Sequence, residues 1–98
     1  MLVKFTEEQQ EILKKCIEVW GVEAQELMAV GECGEFITLQ GRKAQGRDTN
    51  EDWVSEIADV SIMMEQMAHM RGYEVVQDMI NIKLQRLKER LLKNGAIF

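Results

Sequence analysis

The chain alternates between long stretches with apolar residues every three or four positions and short breaks marked by glycine. In the first stretch Ile12, Leu13, Cys16, Ile17 and Trp20 recur at helical spacing. Thr6-Glu7-Glu8-Gln9 ahead of it has the form of a capping box, in which the Thr hydroxyl accepts from the N3 amide and the Gln side chain reaches back. Gly21 is the stop. A second helix is predicted from about Val22 to about Lys43. Residues 42–49 (RKAQGRDT) are polar, contain Gly46 and show no apolar rhythm, so they read as a loop or frayed end. Thr49 caps a third helix with Asp52 at N3, and Trp53, Ile57, Val60, Met64 and Met67 mark its core stripe. Gly72 ends it. A fourth helix runs from about Tyr73 to Lys93, with Val76, Ile80, Leu84, Leu87 and Leu91 on one face. Lys88, Arg90 and Lys93 suit the negative end of its dipole. Strand patterns are nearly absent. The expectation is an all-α, single-domain chain over residues 1–98, with four helices joined by short loops.

Composition narrows the class. The 98 residues include no proline, and the 46% hydrophobic content is too high for a disordered segment. The 17 acids outnumber the 12 bases, the reverse of the surplus that phosphate neutralisation needs, so no nucleic-acid partner is expected. A domain this short buries a modest fraction of its surface, which points to an oligomer. Two cysteines, with no CxxC and no Cys/His cluster, argue against a disulfide scaffold and against zinc. The first residues, MLVKFTEEQQ, lack the apolar core of a leader, and no apolar run approaches about 20 residues. A soluble, reduced, cytoplasmic protein with no membrane partner is expected.

Acids stand where a core is expected. Glu32 and Glu35 are spaced i, i+3 on the second helix, and Glu56 and Asp59 on the third. That spacing puts each pair on one face, where like charges repel by a few tenths of a kcal/mol, roughly. Glu32 and Glu35 share a strip with Met28 and Leu39. Glu56 and Asp59 share one with Met63 and border Val60. An unpaired carboxylate in such half-buried surroundings costs several kcal/mol by order of magnitude. No cluster of Lys or Arg lies in the same strips. One such pair is ordinarily a solvated face, but two in apolar sequence on consecutive helices point to a site. A divalent cation would neutralise four converging carboxylates, and oxygen-only ligands select Mg²⁺, with Mn²⁺ as the alternative, over Zn²⁺. Gly31 and Gly34 each cost about 1 kcal/mol relative to Ala inside a helix, which predicts a close helix approach beside the acids.

The order ExxE, twenty residues, ExxD resembles the MazG-like all-α nucleoside triphosphate pyrophosphohydrolases. Their wider superfamily includes dimeric dUTPases, dCTP pyrophosphatases and phosphoribosyl-ATP pyrophosphohydrolase. The resemblance runs from about Trp20 to Arg90. Glu32, Glu35, Glu56 and Asp59 match the family's metal-binding carboxylates, and Glu56-Ile57-Ala58-Asp59-Val60 its third-helix signature. Asn81-Ile82-Lys83-Leu84-Gln85-Arg86 is similar to a fourth-helix stretch whose basic residues contact phosphates. Two positions depart from the pattern. Gly31 stands where many members carry a further Glu, and Leu87 where some carry Arg, leaving Arg86 as the nearest candidate. Lys83 and Arg86 share a flank, whereas Asn81 lies nearly opposite. Asn81 therefore serves the same site only from another subunit or through an altered helix path.

The resemblance implies a four-helix MazG-like bundle, assembled as a homodimer or homotetramer. It also implies Mg²⁺-dependent hydrolysis of (d)NTPs between the α and β phosphorus atoms, in nucleotide-pool house-cleaning. Either Glu35 or Glu32 would orient or deprotonate the attacking water. Lys83 and Arg86, with Lys43 and Arg47 from the loop, are the phosphate contacts. Trp20 is the preferred stacking partner for the base, with Gln25 for a base edge and Trp53 as a second aromatic. His69, the seven methionines and Cys33 read as structural residues. A catalytically inactive helical dimerisation module of the same fold is the competing reading, and Gly31 favours it. A di-iron carboxylate bundle requires Glu-x-x-His pairs, and no His follows Glu32, Glu35 or Glu56 at that spacing.

Overall fold

The structure, a computed structural model, describes residues 4–98. Residues 1–3, which open the segment read for a leader, lie outside it. The described residues form four helices and no strand: α1 (Glu7–Trp20), α2 (Val22–Ala44), α3 (Asn50–Arg71) and α4 (Tyr73–Lys93). None of these helices is long and apolar enough to cross a membrane.

Local chemistry sets the boundaries. The predicted capping box at Thr6 forms, and the predicted cap at Thr49 is a second one. Thr6 Oγ1 accepts from the Gln9 amide at 3.1 Å while Gln9 Oε1 accepts from the Thr6 amide at 2.8 Å. Thr49 and Asp52 repeat the exchange at 3.1 Å in each direction. Two joints consist of one glycine. Gly21 has φ +91° and Gly72 φ +107°, left-handed values that a side chain disfavours. The Gly21 amide donates to the Ile17 carbonyl and its own carbonyl accepts from Gln25, so one residue closes α1 and opens α2.

Helices α2 and α3 form an antiparallel hairpin. Arg42 meets Asp52 at 3.2 Å at one end and Arg71 meets Glu26 at 3.2 Å at the other. α1 packs against both, and α4 packs against α3 alone. Leu13, Ala29, Leu39, Met63 and Ala68 are the buried apolar residues among those described. They are joined by the buried polar residues Gln25, Ser61, Glu65 and Gln66.

This differs from the expected stripes. On α3 the chain buries Ser61, Met63, Glu65, Gln66 and Ala68, while Ile57 and Met64 of the predicted stripe are exposed. On α1 only Leu13 is buried, and Ile12 and Trp20 face outward. α4 buries nothing, so Leu84, Leu87 and Leu91 form an open apolar face rather than a core. The close approach expected at Gly31 and Gly34 is absent among the described residues, since a Cβ at either would meet nothing within 4 Å. The cause is common to these cases. Period fixes which residues share a face but not which face packs, and α3 packs on Ser61, Met63, Glu65, Gln66 and Ala68. The radius of gyration, 16.3 Å, exceeds the roughly 13 Å of a compact chain this long, as an outlying α4 requires.

Candidate metal centre

The antiparallel α2–α3 register brings the first acid pair opposite the second. One ligand oxygen from each of Glu32, Glu56 and Asp59 lies within 4.8 Å of the others. The three residues are half-buried, and Glu56 Oε2 is buried with no hydrogen-bond partner among the described residues. Burial pushes the Glu56 carboxyl above the usual carboxylate range. The charges of Glu32, Asp59 and Glu35 raise it further, and a hydrogen bond to Glu32 favours the protonated form. Three carboxylates thus crowd one another, a repulsion that a bound divalent ion would relieve.

Glu35 stands outside this triad. It is exposed and lines a neighbouring cleft of about 100 Å³ together with Glu56. The two predicted pairs therefore yield three converging ligands and one carboxylate at the rim. No His or Cys belongs to the triad, so its donor set is oxygen only.

Of the other predicted site residues, Trp53 and Lys43 contact each other near the start of α3. Trp53 stands one turn before Glu56. It packs edge to face on Phe36, with ring centroids 5.7 Å apart, and donates from Nε1 to Asp48 Oδ2 at 2.7 Å. Lys43 Nζ lies 5.8 Å from the Trp53 ring centroid, so its charge rests on the aromatic face. Arg47 is exposed and offers its carbonyl oxygen to Arg42. Gln25 is buried, seven residues and about 10 Å of helix rise from Glu32. Trp20 lies beyond it and is 64% exposed on an open apolar patch of α1. Asn81, Lys83 and Arg86 are exposed on α4, which touches neither α1 nor α2. Within one chain the structure does not bring them to the acids.

A second polar cluster escaped the sequence reading. Glu65, the most buried side chain in α3, accepts from Gln10 Nε2 at 2.7 Å and from the Tyr73 hydroxyl at 2.9 Å. His69 bonds to Gln10 and stacks on Tyr73 at 4.8 Å. Burial pulls the His69 pKa down and the Lys14 charge adds to this, against the opposing charges of Glu65 and Glu11. The cluster ties α1, α3 and the start of α4 together, which makes His69 structural. The available signal was Glu65 and His69 at i, i+4 on one face, but Gln10 is 55 residues from Glu65.

Comparison with known proteins gives no match: no family model, no curated protein and no solved structure matches this chain.

Proposed function

We propose that this chain is a magnesium-dependent nucleoside triphosphate pyrophosphohydrolase of the MazG-like kind, which cuts (d)NTPs into monophosphate and pyrophosphate. The observation that carries this reading is the convergence of Glu32, Glu56 and Asp59 around a buried, unpartnered carboxylate oxygen. Orphaned buried charge and an oxygen-only donor set both fit a hard ion, with Mg²⁺ preferred and Mn²⁺ next. When bound, the ion supplies neutralising charge for phosphate oxygens and acidifies a coordinated water. Glu32, Glu56 and Asp59 hold it. Glu35, at the rim and outside the triad, is the carboxylate left to orient water and take its proton. Trp53, beside these acids, offers a ring to the base. The two free cysteines, Cys16 and Cys33, suit a reducing cytoplasm.

A second copy belongs to this reading. α4 exposes Val75, Met79, Ile82, Leu84, Leu87 and Leu91, and it buries no residue of its own against the described chain. Lys83 and Arg86 lie on the same helix and reach a set of acids only across an interface between copies. Sedimentation equilibrium at micromolar concentration is expected to give the mass of a homodimer or homotetramer. The mass of one copy would remove α4 from the phosphate contacts.

The activity itself is tested with purified protein, Mg²⁺ and a panel of NTPs and dNTPs. The expected products are pyrophosphate and the monophosphate, with no orthophosphate. The inactive-module reading, favoured by Gly31 at the first motif, predicts no turnover of any nucleotide and no thermal shift on adding Mg²⁺.

A further inference from the structure

Beside the acid triad, the cleft lined by Glu35 and Glu56 contains one cation, Arg42, among its lining residues. Its guanidinium is held in place. Nη2 donates to the Arg47 carbonyl at 3.1 Å and to Asp52 Oδ2 at 3.2 Å. Both bonds leave from the same nitrogen. A guanidinium has five N–H donors, so the donors of Nε and Nη1 meet no protein partner among the described residues. The side chain is 42% exposed, which leaves those donors within reach of a ligand. Ser55 adds a hydroxyl on the α3 side of the same cleft.

Charge gives this arrangement a purpose. Four carboxylates outweigh a single divalent ion, so a phosphate approaching the site meets net negative charge unless another cation faces it. Lys43 is occupied with the Trp53 ring, and Lys83 and Arg86 sit on a helix that does not touch α2. Resting on the metal reading of the acids, we infer that Arg42 is the chain's own phosphate anchor. Its Nε and Nη1 donors bind a terminal phosphate of the metal-bound nucleoside triphosphate and hold the pyrophosphate after cleavage. Asp52 and the Arg47 carbonyl fix the guanidinium plane, which leaves little side-chain entropy to lose on binding.

The experiment is calorimetric titration of wild type, Arg42→Lys and Arg42→Ala, first with Mg²⁺ alone and then with inorganic pyrophosphate at saturating Mg²⁺. Thermal melts accompany each variant. Mg²⁺ affinity is expected to stay within about twofold in all three, because Arg42 is not a ligand of the ion. Pyrophosphate affinity is expected to fall about tenfold or more in Arg42→Ala. Arg42→Lys should recover only part, since an ammonium keeps the charge and loses the fork. Unchanged pyrophosphate affinity in Arg42→Ala, with a lowered melting temperature alone, would make Arg42 a strut between α2 and α3. That outcome overturns the assignment while wild-type Mg²⁺ binding leaves the metal reading standing. A wild type that binds no Mg²⁺ overturns the metal reading and this assignment with it. If Arg42→Ala melts below the assay temperature, Arg42→Lys decides: weakened pyrophosphate binding supports the anchor, and full affinity overturns it.

Discussion

Glu56→Gln is expected to lower turnover roughly 10²-fold or more, about 2.7 kcal/mol of transition-state stabilisation, while making the metal-free protein more stable at neutral pH. The two effects share one origin. Glu56 is the carboxylate whose Oε2 is buried without a partner, and Glu32, Asp59 and Glu35 all repel its charge. Its folded-state pKa lies above the ordinary 4.5, so the folded protein binds this proton more tightly than the unfolded chain does. The associated stability is fully present below the unfolded value and is lost as pH rises through the folded one. Metal-free wild type therefore carries this penalty at neutral pH, and the uncharged amide removes it. Magnesium reverses the ranking: wild type gains stability from the ion by mass action and the variant does not. Thermal melts from acid to neutral pH, with and without Mg²⁺, read both halves. A variant with full turnover and the wild-type magnesium response would remove Glu56 from the site.

Leu39→Ala is expected to destabilise the fold by about 2–5 kcal/mol, the range for emptying a buried leucine site. Leu39 is 3% exposed and is one of five buried apolar residues among those described. Few neighbours are therefore available to collapse into the vacancy. Against a total stability of about 5–15 kcal/mol this is a large share, and for a domain of this size it lowers the melting temperature by about 10 °C or more. Leu39 also lines the cleft shared by Glu35, Arg42 and Glu56, so activity should fall along with stability. Ile97, 94% exposed, is the matching control, and its replacement by Ala should stay within about 0.5 kcal/mol. Chemical denaturation at one fixed protein concentration makes the comparison. Equal midpoints for the two variants would show that the α2–α3 contact does not carry the core.

What the sequence made legible was local. Thr6 and Thr49 announce helix starts because a hydroxyl and a side chain three residues on satisfy the same turn, and both boxes formed. Gly21 and Gly72 announce stops because only glycine adopts their backbone angles at low cost. The acid pairs were legible because i, i+3 spacing fixes a shared face whatever lies opposite, and Glu32, Glu56 and Asp59 did converge. Selection of the buried face was not legible. Trp53, Ile57 and Met64 have the apolar signal, yet the residues that α3 buries include Ser61, Glu65 and Gln66. Glu65 finds its partners on α1 and α4, while the Ser61 hydroxyl donates to the Ile57 carbonyl of its own helix. Arg42 was passed over because its residue type and polar neighbours resemble a loop, and only the hairpin shows it against Asp52.

The single-glycine joints bear on how the molecule comes into being. Three of the four helix contacts join consecutive helices, and the fourth, α1 with α3, skips only one. Folding such a chain closes short loops only, and local topologies of this kind fold on microsecond to millisecond timescales. The α2–α3 hairpin turns through residues 45–49, so the acids meet as soon as two adjacent helices zip together. In the proposed oligomer, covering α4 would come last, as an encounter between separate molecules whose rate depends on their concentration. Each newly made chain thus assembles its charged centre from its own two adjacent helices, early and without a partner.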